Sequence, residues 1–395
     1  MHHLPSLSLL QSRPDRIALA RERFFEGGHA PTGVVSEAVF ESWARCLRLH
    51  GNPHEPATFQ PVTASRTQLA LMKNRPLHQA WTHEVPRLEA MLSTSSCTAM
   101  LTDATGVLIG ATCVGRAHEA LMPVATRIGV NLSEDAVGTT APGVVARTGK
   151  PVCVQGGEHF FDSVKEMHCA AAPIRDIQGR LAGVLDLSSE RIPFAFDAAA
   201  VAGLFAGAIE NRLLVAQSTE HLVIRFQVAH DLLDSSMAAL VGIDVEGRIA
   251  WENGVARGLL GGRAHALAHT EHSPELSFGL PWEQLAALPA AGAAPLALPN
   301  GLQVWARAEM RAPDGRRRLV AGASLPAPEP SEPTVAAPET APEPPPAADP
   351  LTPKRLRESD RDLIATTLQA CGGNVSEAAK RLGVSRGLIY RRLRD

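Results

Sequence analysis

The sequence predicts an α+β multidomain protein that ends in a small all-α module. Three features indicate this: segments that pair two apolar runs around an Asp-x-x-Gly turn, apolar residues at helical spacing, and a proline-rich stretch near the C-terminal end. The chain has 395 residues, 45% of them hydrophobic and 20% charged. This length and balance suit about two to four domains with cores of their own.

The first 80 residues are predicted to be mostly helical. The apolar positions that recur at helical spacing are Val35, Val39, Trp43, Cys46 and Leu47. Gly51, followed by Asn52 and Pro53, is expected to end this helix. The pattern predicts a stripe that faces a core.

Three segments read as β-hairpins. Their turns run over residues 103–106, 176–179 and 244–247, and each begins with Asp and ends with Gly. The Asp side chain can accept local backbone hydrogen bonds, and Gly can adopt the positive φ that such turns need. Three hairpins among helices predict domains built on antiparallel sheets, an architecture common among small-molecule sensory domains and also found elsewhere.

A helix is predicted over about 197–217, where Val201, Leu204 and Ile209 belong to an apolar series with helical spacing. The apolar residues Leu222, Ile224 and Val228 extend the prediction towards residue 230. Two roles stay open: a helix packed on its own sheet, or a connecting helix that pairs two protomers.

Residues 326–350 are predicted to be a disordered linker. Ten of these 25 residues are proline, five are acidic and none is basic. Such a stretch buries too little apolar surface to offset the entropy of ordering. Residues 351–395 carry ten Lys and Arg against five Asp and Glu, whereas the formal charge of the whole chain is −3. A small cationic segment on an acidic tether is typical of a module that binds phosphate backbone.

Within that segment the spacing predicts a helix-turn-helix. Asn374 can cap a helix over 375–382, Gly383 suits the tight turn, and Ser385 can cap a second helix. Arg386 lies where a recognition helix meets base edges, and the other basic residues suit phosphate contacts. The residues expected at the DNA interface are Asn374, Lys380, Ser385, Arg386, Gly387, Tyr390, Arg391, Arg392 and Arg394. A three-helix interaction module that binds no DNA is the alternative.

Several protein classes are excluded by composition. No run of about 18 uncharged apolar residues exists, so no membrane span is expected. The N-terminus lacks the pattern of a secretory signal. The six cysteines are scattered without a C-x-x-C pair, which argues against a disulfide scaffold and a zinc ribbon. We therefore expect a reduced, cytoplasmic protein without a resident cofactor.

Residues 351–395 resemble the Fis-type DNA-binding domain at the C-terminus of bacterial enhancer-binding activators. The shared residues are Gly372-Gly373-Asn374, Ala378-Ala379, Leu382-Gly383-Val384-Ser385-Arg386 and Leu388-Ile389-Tyr390-Arg391-Arg392-Leu393. Gly387 is a departure, since the family often has threonine there. One such module makes few phosphate contacts, so we expect a homodimer on a symmetric site of double-stranded DNA.

The first 215 residues resemble the acetoin-catabolism activator (AcoR-like) family, with its N-terminal helix and GAF sensory domain. The matching motifs are Ser42-Trp43-Ala44-Arg45-Cys46, Ser133-Glu134, Gly138-Thr139, Glu158-His159-Phe160, Ala172-Pro173-Ile174 and Gly183-Val184-Leu185-Asp186-Leu187. Thr140 stands where the family commonly has asparagine. Residues 225–322 are similar to a degenerate PAS domain. The expected division is a helical segment 1–80, a GAF-like domain 81–217, a PAS-like domain 218–325, a linker 326–350 and the DNA-binding domain 351–395.

Relatives that act with the alternative nitrogen sigma factor carry a central ATPase, which needs a phosphate-binding loop. The sequence contains no G-x-x-x-x-G-K-[ST] motif. ATP-driven promoter opening is therefore not expected. The protein should act by occupying DNA, or by contacting RNA polymerase or another regulator.

Other readings of the first domain stay open. His159, His168 and Cys169, with Cys153 nearby, could be metal ligands, although no metal is the main expectation. Cys169 could be a redox sensor beside His168. A thiol-dependent reductase would use the cysteines Cys97, Cys113 and Cys153.

The resulting hypothesis is a ligand-responsive transcriptional regulator, not an enzyme. The resemblance implies a GAF pocket for a small molecule, lined by Thr139, Thr140, His159 and Asp186. By the same resemblance, the effector is a small alcohol, a diol or acetoin. The alternative is a constitutive DNA-binding co-regulator that uses its GAF domain as a dimerisation scaffold.

Overall fold

The computed structural model describes residues 12–31, 33–116, 118–261, 273–311, 317–318, 367 and 381–382. The chain divides into two compact units, Met1–Ala327 and Pro328–Asp395. The described part of the first unit contains two antiparallel sheets with helices packed on both. The candidate site lies on the first of these sheets.

Four helices precede the first sheet. Their bounds are α1 Arg13–Phe25, α2 Glu37–His50, α3 Ala64–Lys73 and α4 Arg75–Leu92. The side chains of Ser12 and Ser36 cap α1 and α2 by accepting a backbone N–H of the first turn. The apolar stripe predicted on α2 is confirmed for Val39, Trp43 and Cys46, which are fully buried. Leu47 is partly buried, and Val35 lies before the helix begins.

The first sheet has the strand order β2-β1-β5-β4-β3. Its strands are β1 Thr98–Asp103, β2 Leu108–Ala111, β3 Val152–Gln155, β4 Met167–Arg175 and β5 Leu181–Glu190. The hairpins predicted around Asp103 and Asp176 are confirmed, because β1 pairs with β2 and β4 with β5. In the first turn, Asp103 Oδ1 accepts the N–H of Thr105 at 2.9 Å and of Val107 at 3.0 Å. Gly106 supplies the positive φ, 86°.

The two faces of the first sheet are covered by different elements. One face packs against α4 and α8 (Ala198–Gln217) in a large apolar cluster. The opposite face, called the inner face below, is covered by three short helices, by two 3₁₀ turns and, beyond them, by α1 and α2. These short elements are α5 Met122–Ala125, α6 Glu134–Val137, α7 Ala141–Thr148, Gly156–Glu158 and Asp162–Val164. The helices predicted over 1–80 thus share their core with the sheet.

Helix α8 confirms the prediction over 197–217, and it packs on both sides. Phe205 and Ile209 contact the first sheet, whereas Leu214 packs on the second. By length and composition α8 could also cross a membrane, but half of that window is buried inside the fold, as in the core helix of a globular protein. The predicted extension towards residue 230 is wrong. Helix α8 ends at Ser218, and a strand begins at Leu222. This segment forms a strand because its apolar residues alternate, which buries one face.

The second sheet has the order β11-β10-β6-β7-β8, with β9 also paired to β10. Its strands are β6 Leu222–Gln227, β7 Ala239–Ile243, β8 Ile249–Glu252, β9 Ala294–Ala297, β10 Gln303–Arg311 and β11 Arg317–Arg318. Three short helices pack on one face: α9 Gly254–Leu259, α10 Pro274–Phe278 and α11 Trp282–Ala286. The third predicted hairpin is confirmed as β7 and β8.

Gly242 lies at a point where only glycine fits the second sheet. It is directly opposite Trp251 in the β7–β8 pair. A Cβ atom on Gly242 would collide with the indole ring of Trp251, which lies against this backbone. The glycine therefore allows a large aromatic ring to pack flat on the sheet, against Leu214 of α8.

Candidate functional site

The centre of the inner face carries a buried carboxyl group, that of Asp186. On β5, Leu185 and Leu187 point to the side of α4 and α8, so the alternation of the strand places Asp186 and Ser188 on the inner face. Asp186 is opposite Met100 of β1 and Ala171 of β4. Its relative exposure is 0%, so its polar atoms depend on the protein or a ligand for partners.

A short hydrogen-bonded chain surrounds this carboxyl group. The Ser188 hydroxyl donates to Asp186 Oδ2 at 2.6 Å and lies 3.1 Å from Cys169 Sγ. The Cys169 thiol is in turn hydrogen-bonded to the backbone of Ala141, the first residue of α7. Asp186 Oδ1 has no hydrogen-bond partner among the described residues. One oxygen of a fully buried carboxyl group is therefore left unsatisfied, which is costly and rare.

Burial raises the pKa of Asp186 from 3.8 to about 7, although the hydrogen bond from Ser188 opposes this shift. Near neutral pH the carboxyl group can therefore be protonated. In that form it offers an O–H donor as well as an acceptor, so it suits an uncharged hydroxyl or carbonyl group better than an anion.

Thr139 and Thr140 lie at the start of α7 and stabilise its surroundings. Thr139 Oγ1 accepts a hydrogen bond from Ser42 of α2 at 2.8 Å. Thr140 Oγ1 donates to the carbonyl of Leu132 at 3.1 Å and caps α7. The structure links these two threonines to Asp186 only indirectly, through the series of hydrogen bonds that runs from α7 to Cys169, Ser188 and Asp186.

His159 lies in the loop after β3 and is almost completely buried, with 1% exposure. Its Nδ1 is 3.0 Å from the carbonyl of Gly156, and its Nε2 has no partner among the described residues. Burial lowers the pKa of His159 from 6.5 to about 4, so the ring is neutral at physiological pH. Among the described residues, its ring makes no hydrogen bond to Thr139, Thr140 or Asp186.

Arg21 of α1 holds the His159 loop in place. Its guanidinium donates to the carbonyls of Gly157, His159 and Phe160 and to Asp162 Oδ1, the last at 2.7 Å. It also stacks near the rings of Phe25 and Trp43, with its central carbon 4.9 and 5.7 Å from their centroids. Sequence reasoning missed this residue because a lone arginine on an amphipathic helix looks like a solvated charge.

The motif on α2 binds the same loop and the start of α6. Trp43 Nε1 donates to the carbonyl of Glu158 at 2.7 Å. Arg45 forms a bidentate pair with the buried Glu134, with both distances 2.8 Å. Three motifs that are far apart in the sequence thus meet on one side of the inner face.

The cysteine and metal readings receive little support. Within the part of the chain that the structure describes, no group of three or more His, Cys, Asp or Glu side chains could hold a metal ion. Burial raises the pKa of the thiols of Cys97, Cys153 and Cys169. Reactive cysteines need the opposite shift, towards the thiolate.

Ser188 is a site residue that the sequence could have revealed. It is two positions after Asp186 on a strand, so both side chains share a face. The nine predicted DNA-interface residues, from Asn374 to Arg394, lie outside the described residues.

Two protein families match the sequence. The family described as "MimR, N-terminal domain" matches residues 13–204, from α1 into α8. The family described as "Bacterial regulatory protein, Fis family" matches residues 355–395.

Curated relatives are transcriptional regulators. The acetoin catabolism regulatory protein of Cupriavidus necator is 26% identical over 58% of this chain and 35% of its own length. The propane 2-monooxygenase operon transcriptional activator MimR of Mycolicibacterium smegmatis is 29% identical over 49% of this chain and 32% of its own. The acetoin dehydrogenase operon transcriptional activator AcoR of Bacillus subtilis is 31% identical over 42% and 28%.

The chain spans about a third of the length of these curated relatives. The segment that matches the MimR N-terminal domain, residues 13–204, contains α2 with its motif and the strand that carries Asp186. The chain is therefore similar to AcoR-like and MimR-like regulators, with a segment that matches the MimR N-terminal domain and a C-terminal segment that matches the Fis-type regulatory family.

Proposed function

We propose that this protein is a ligand-responsive, cytoplasmic regulator in which a small uncharged molecule binds the inner face beside Asp186 and changes the affinity for specific double-stranded DNA. The observation that carries this proposal is the unsatisfied Oδ1 of a fully buried Asp186. In this proposal residues 81–217 are the GAF-like sensory domain, 218–325 the PAS-like domain, 326–350 the linker and 351–395 the DNA-binding domain.

The chemistry of the inner face suggests the ligand class. A hydroxyl or carbonyl group can supply the partner that Asp186 Oδ1 lacks, without adding a charge to an apolar site. Met100 and Ala171 flank the carboxyl group, so the carbon skeleton would meet apolar side chains. A small alcohol, a diol or acetoin has this combination, and acetoin occurs in the names of two relatives.

The other predicted pocket residues take supporting roles in this proposal. His159 closes the site as a neutral ring beneath the loop held by Arg21. Thr139 and Thr140 hold the start of α7, which reaches Asp186 through Cys169. Ligand binding that moves α7 or the His159 loop would therefore also displace α1 and α2, which contact them.

Titration of the full-length protein with acetoin or 2,3-butanediol tests the sensory role. We expect the ligand to raise the melting temperature and to change the DNA affinity by about 5- to 150-fold, the usual range of allosteric coupling. Asp186→Leu removes the polar partner but keeps a buried apolar side chain, so it should fold and lose the response. Glu166→Gln, at a 59% exposed side chain in the turn directly before β4, is the matched control. A DNA affinity that no such ligand changes would instead favour the constitutive co-regulator.

Two substitutions in the DNA-binding segment should differ in kind. Arg386→Ala removes a base contact and should relax sequence choice, whereas Arg392→Ala removes a phosphate contact and should weaken binding to all sequences. The slope of log Kd against log salt should fall by about one ion for Arg392→Ala. Binding to specific and random duplexes at several salt concentrations measures both. An equal loss on every duplex for both variants would refute this division of roles.

In this proposal the protein binds DNA as a homodimer, because one helix-turn-helix makes few phosphate contacts and symmetric half-sites fit a two-fold pair. It acts by occupying DNA or by contacting RNA polymerase or another regulator, without ATP-driven promoter opening.

A further inference from the structure

A cavity lies away from the inner face, between α4, α8 and the second sheet. Its volume is about 750 Å³, within the range of small-molecule sites. We call it the interdomain cleft, because it lies between the proposed GAF-like and PAS-like domains, both of which belong to the first compact unit. Cavities at the junction of two domains are common ligand sites.

Three walls form the interdomain cleft. Residues 76–87 of α4 and 208–216 of α8 contribute at three- and four-residue spacing, so one face of each helix lines it. The third wall is the face of the second sheet that its own short helices leave uncovered, where β6 and β10 present alternate residues. Ala80, Ala208 and Val215 make part of the lining apolar.

The sheet wall carries two arginines directly opposite each other. Arg225 of β6 pairs with Arg307 of β10 in the strand register, and both line the cleft. Like charges at directly opposed positions destabilise a sheet. Arg225 Nη1 donates to the carbonyl of Leu233 at 3.1 Å, which orients its guanidinium. The two guanidinium groups therefore concentrate positive charge on this wall of the cleft.

The helix wall adds two more arginines that share one acid. Arg212 of α8 and Arg87 of α4 contact the buried Glu84 at 2.5 and 3.2 Å. One carboxylate therefore faces two guanidinium groups. The whole lining contains four arginines against three acidic residues, so positive charge exceeds negative charge by one, and each of the three walls contributes an arginine.

Asp234 shows what kind of group this wall binds. Its carboxylate accepts from both Nη atoms of Arg307, with one contact at 3.2 Å, although the Asp234 side chain is 73% exposed. Arg307 thus presents a bidentate fork, the geometry that matches carboxylate and phosphate oxygens. An external oxyanion would compete with this exposed side chain.

We propose that the interdomain cleft binds a small organic anion that carries a carboxylate or phosphate group. The oxyanion would contact Arg307 and Arg225, with Arg87 and Arg212 on the facing wall, while its carbon skeleton lies on the alanine and valine side chains. This site is separate from the one beside Asp186, so the test of this proposal does not depend on the proposed sensory function.

Calorimetric titration of the full-length protein tests this site with three probes: citrate, glycerol 3-phosphate and inorganic phosphate, each at matched ionic strength with chloride as the reference. We expect saturable binding of citrate or glycerol 3-phosphate, and the two organic arms distinguish a carboxylate from a phosphate ligand. Arg307→Gln and Arg87→Gln should each weaken this binding by about tenfold. Arg87 is 64% exposed and its loss leaves Glu84 paired with Arg212, so the second variant should fold.

Two further variants make the outcome decisive. Asp234→Asn removes the internal competitor of Arg307 and should strengthen binding several-fold. Arg248→Gln, at a 68% exposed arginine in the turn between β7 and β8 with acidic neighbours of its own, should leave binding unchanged. No saturable binding, binding of inorganic phosphate alone, or an equal loss in Arg248→Gln and Arg307→Gln would overturn the proposal.

Discussion

The difference in unfolding free energy between Asp186→Asn and the wild type is expected to change by about 4 kcal/mol in favour of the variant as the pH rises from 4 to 7. The pKa of Asp186 is raised from 3.8 to about 7 in the folded protein by its burial. A group with a raised folded pKa contributes stability that is fully present below its unfolded pKa and is lost as the pH rises through its folded pKa. An amide cannot ionise, so the variant escapes that loss.

His159→Asn should show the opposite trend, and it serves as the internal check. The pKa of His159 is lowered from 6.5 to about 4 by burial, so its contribution is present above pH 6.5 and disappears as the pH falls towards 4. Asparagine keeps a donor for the carbonyl of Gly156 but does not titrate. Relative to the wild type, this variant should therefore lose about 3 kcal/mol as the pH rises from 4 to 6.5.

Denaturant unfolding of the three proteins at half-unit pH steps measures both trends. Differences between variant and wild type cancel the contributions of other titrating groups. Parallel curves for Asp186→Asn and the wild type would show that Asp186 ionises normally. In that case the site beside Asp186 would not favour an uncharged ligand.

The second large effect is expected for Arg21→Gln. This side chain is 5% exposed and donates to three carbonyls of the His159 loop and to Asp162. Its removal leaves buried carbonyl groups without donors, so we expect a loss on the order of 3 kcal/mol of unfolding free energy. Because the loop loses its anchor, amide hydrogen exchange over residues 156–162 should increase more than elsewhere.

Arg16→Gln is the matched control, since it removes a guanidinium from a less buried position of the same helix. It should change neither stability nor exchange by a large amount. If Arg21→Gln leaves exchange over residues 156–162 unchanged, the anchoring role of Arg21 is wrong. If exchange rises equally in α3, the substitution has destabilised the whole domain instead of the loop.

Much of the architecture could be predicted because it depends on residues that are close together in the sequence. The Asp-x-x-Gly turns around Asp103, Asp176 and Asp244 predicted the three hairpins, since their geometry depends on four adjacent residues. The prediction failed after Gln217, where Leu222, Ile224 and Val228 were taken to continue the helix. Short apolar runs fit both periods, and pairing with β7 and β10 decided in favour of the strand.

The candidate site was predicted only in part. Asp186 lies on the inner face and carries an unsatisfied oxygen, but Thr139 and Thr140 make supporting contacts, and His159 is not hydrogen-bonded to any of them. A motif identifies which residues are special without indicating which atoms they contact. The role of Arg21 depends on partners 136 to 141 positions away in sequence.

By itself, the sequence determined the hairpins, the α2 stripe, the helix over 198–217 and the resemblance to AcoR-like regulators with a Fis-type segment, because all of these depend on residue types at fixed short spacing. Only the tertiary structure decided which buried polar atoms stay unpaired, which arginine anchors the His159 loop, and that Arg225 and Arg307 meet across two strands. The physical reason is that burial and pairing are properties of contacts between distant segments. The pKa of Asp186 depends on the elements that cover the inner face, and the charge of the interdomain cleft arises only when α4, α8 and the second sheet pack together.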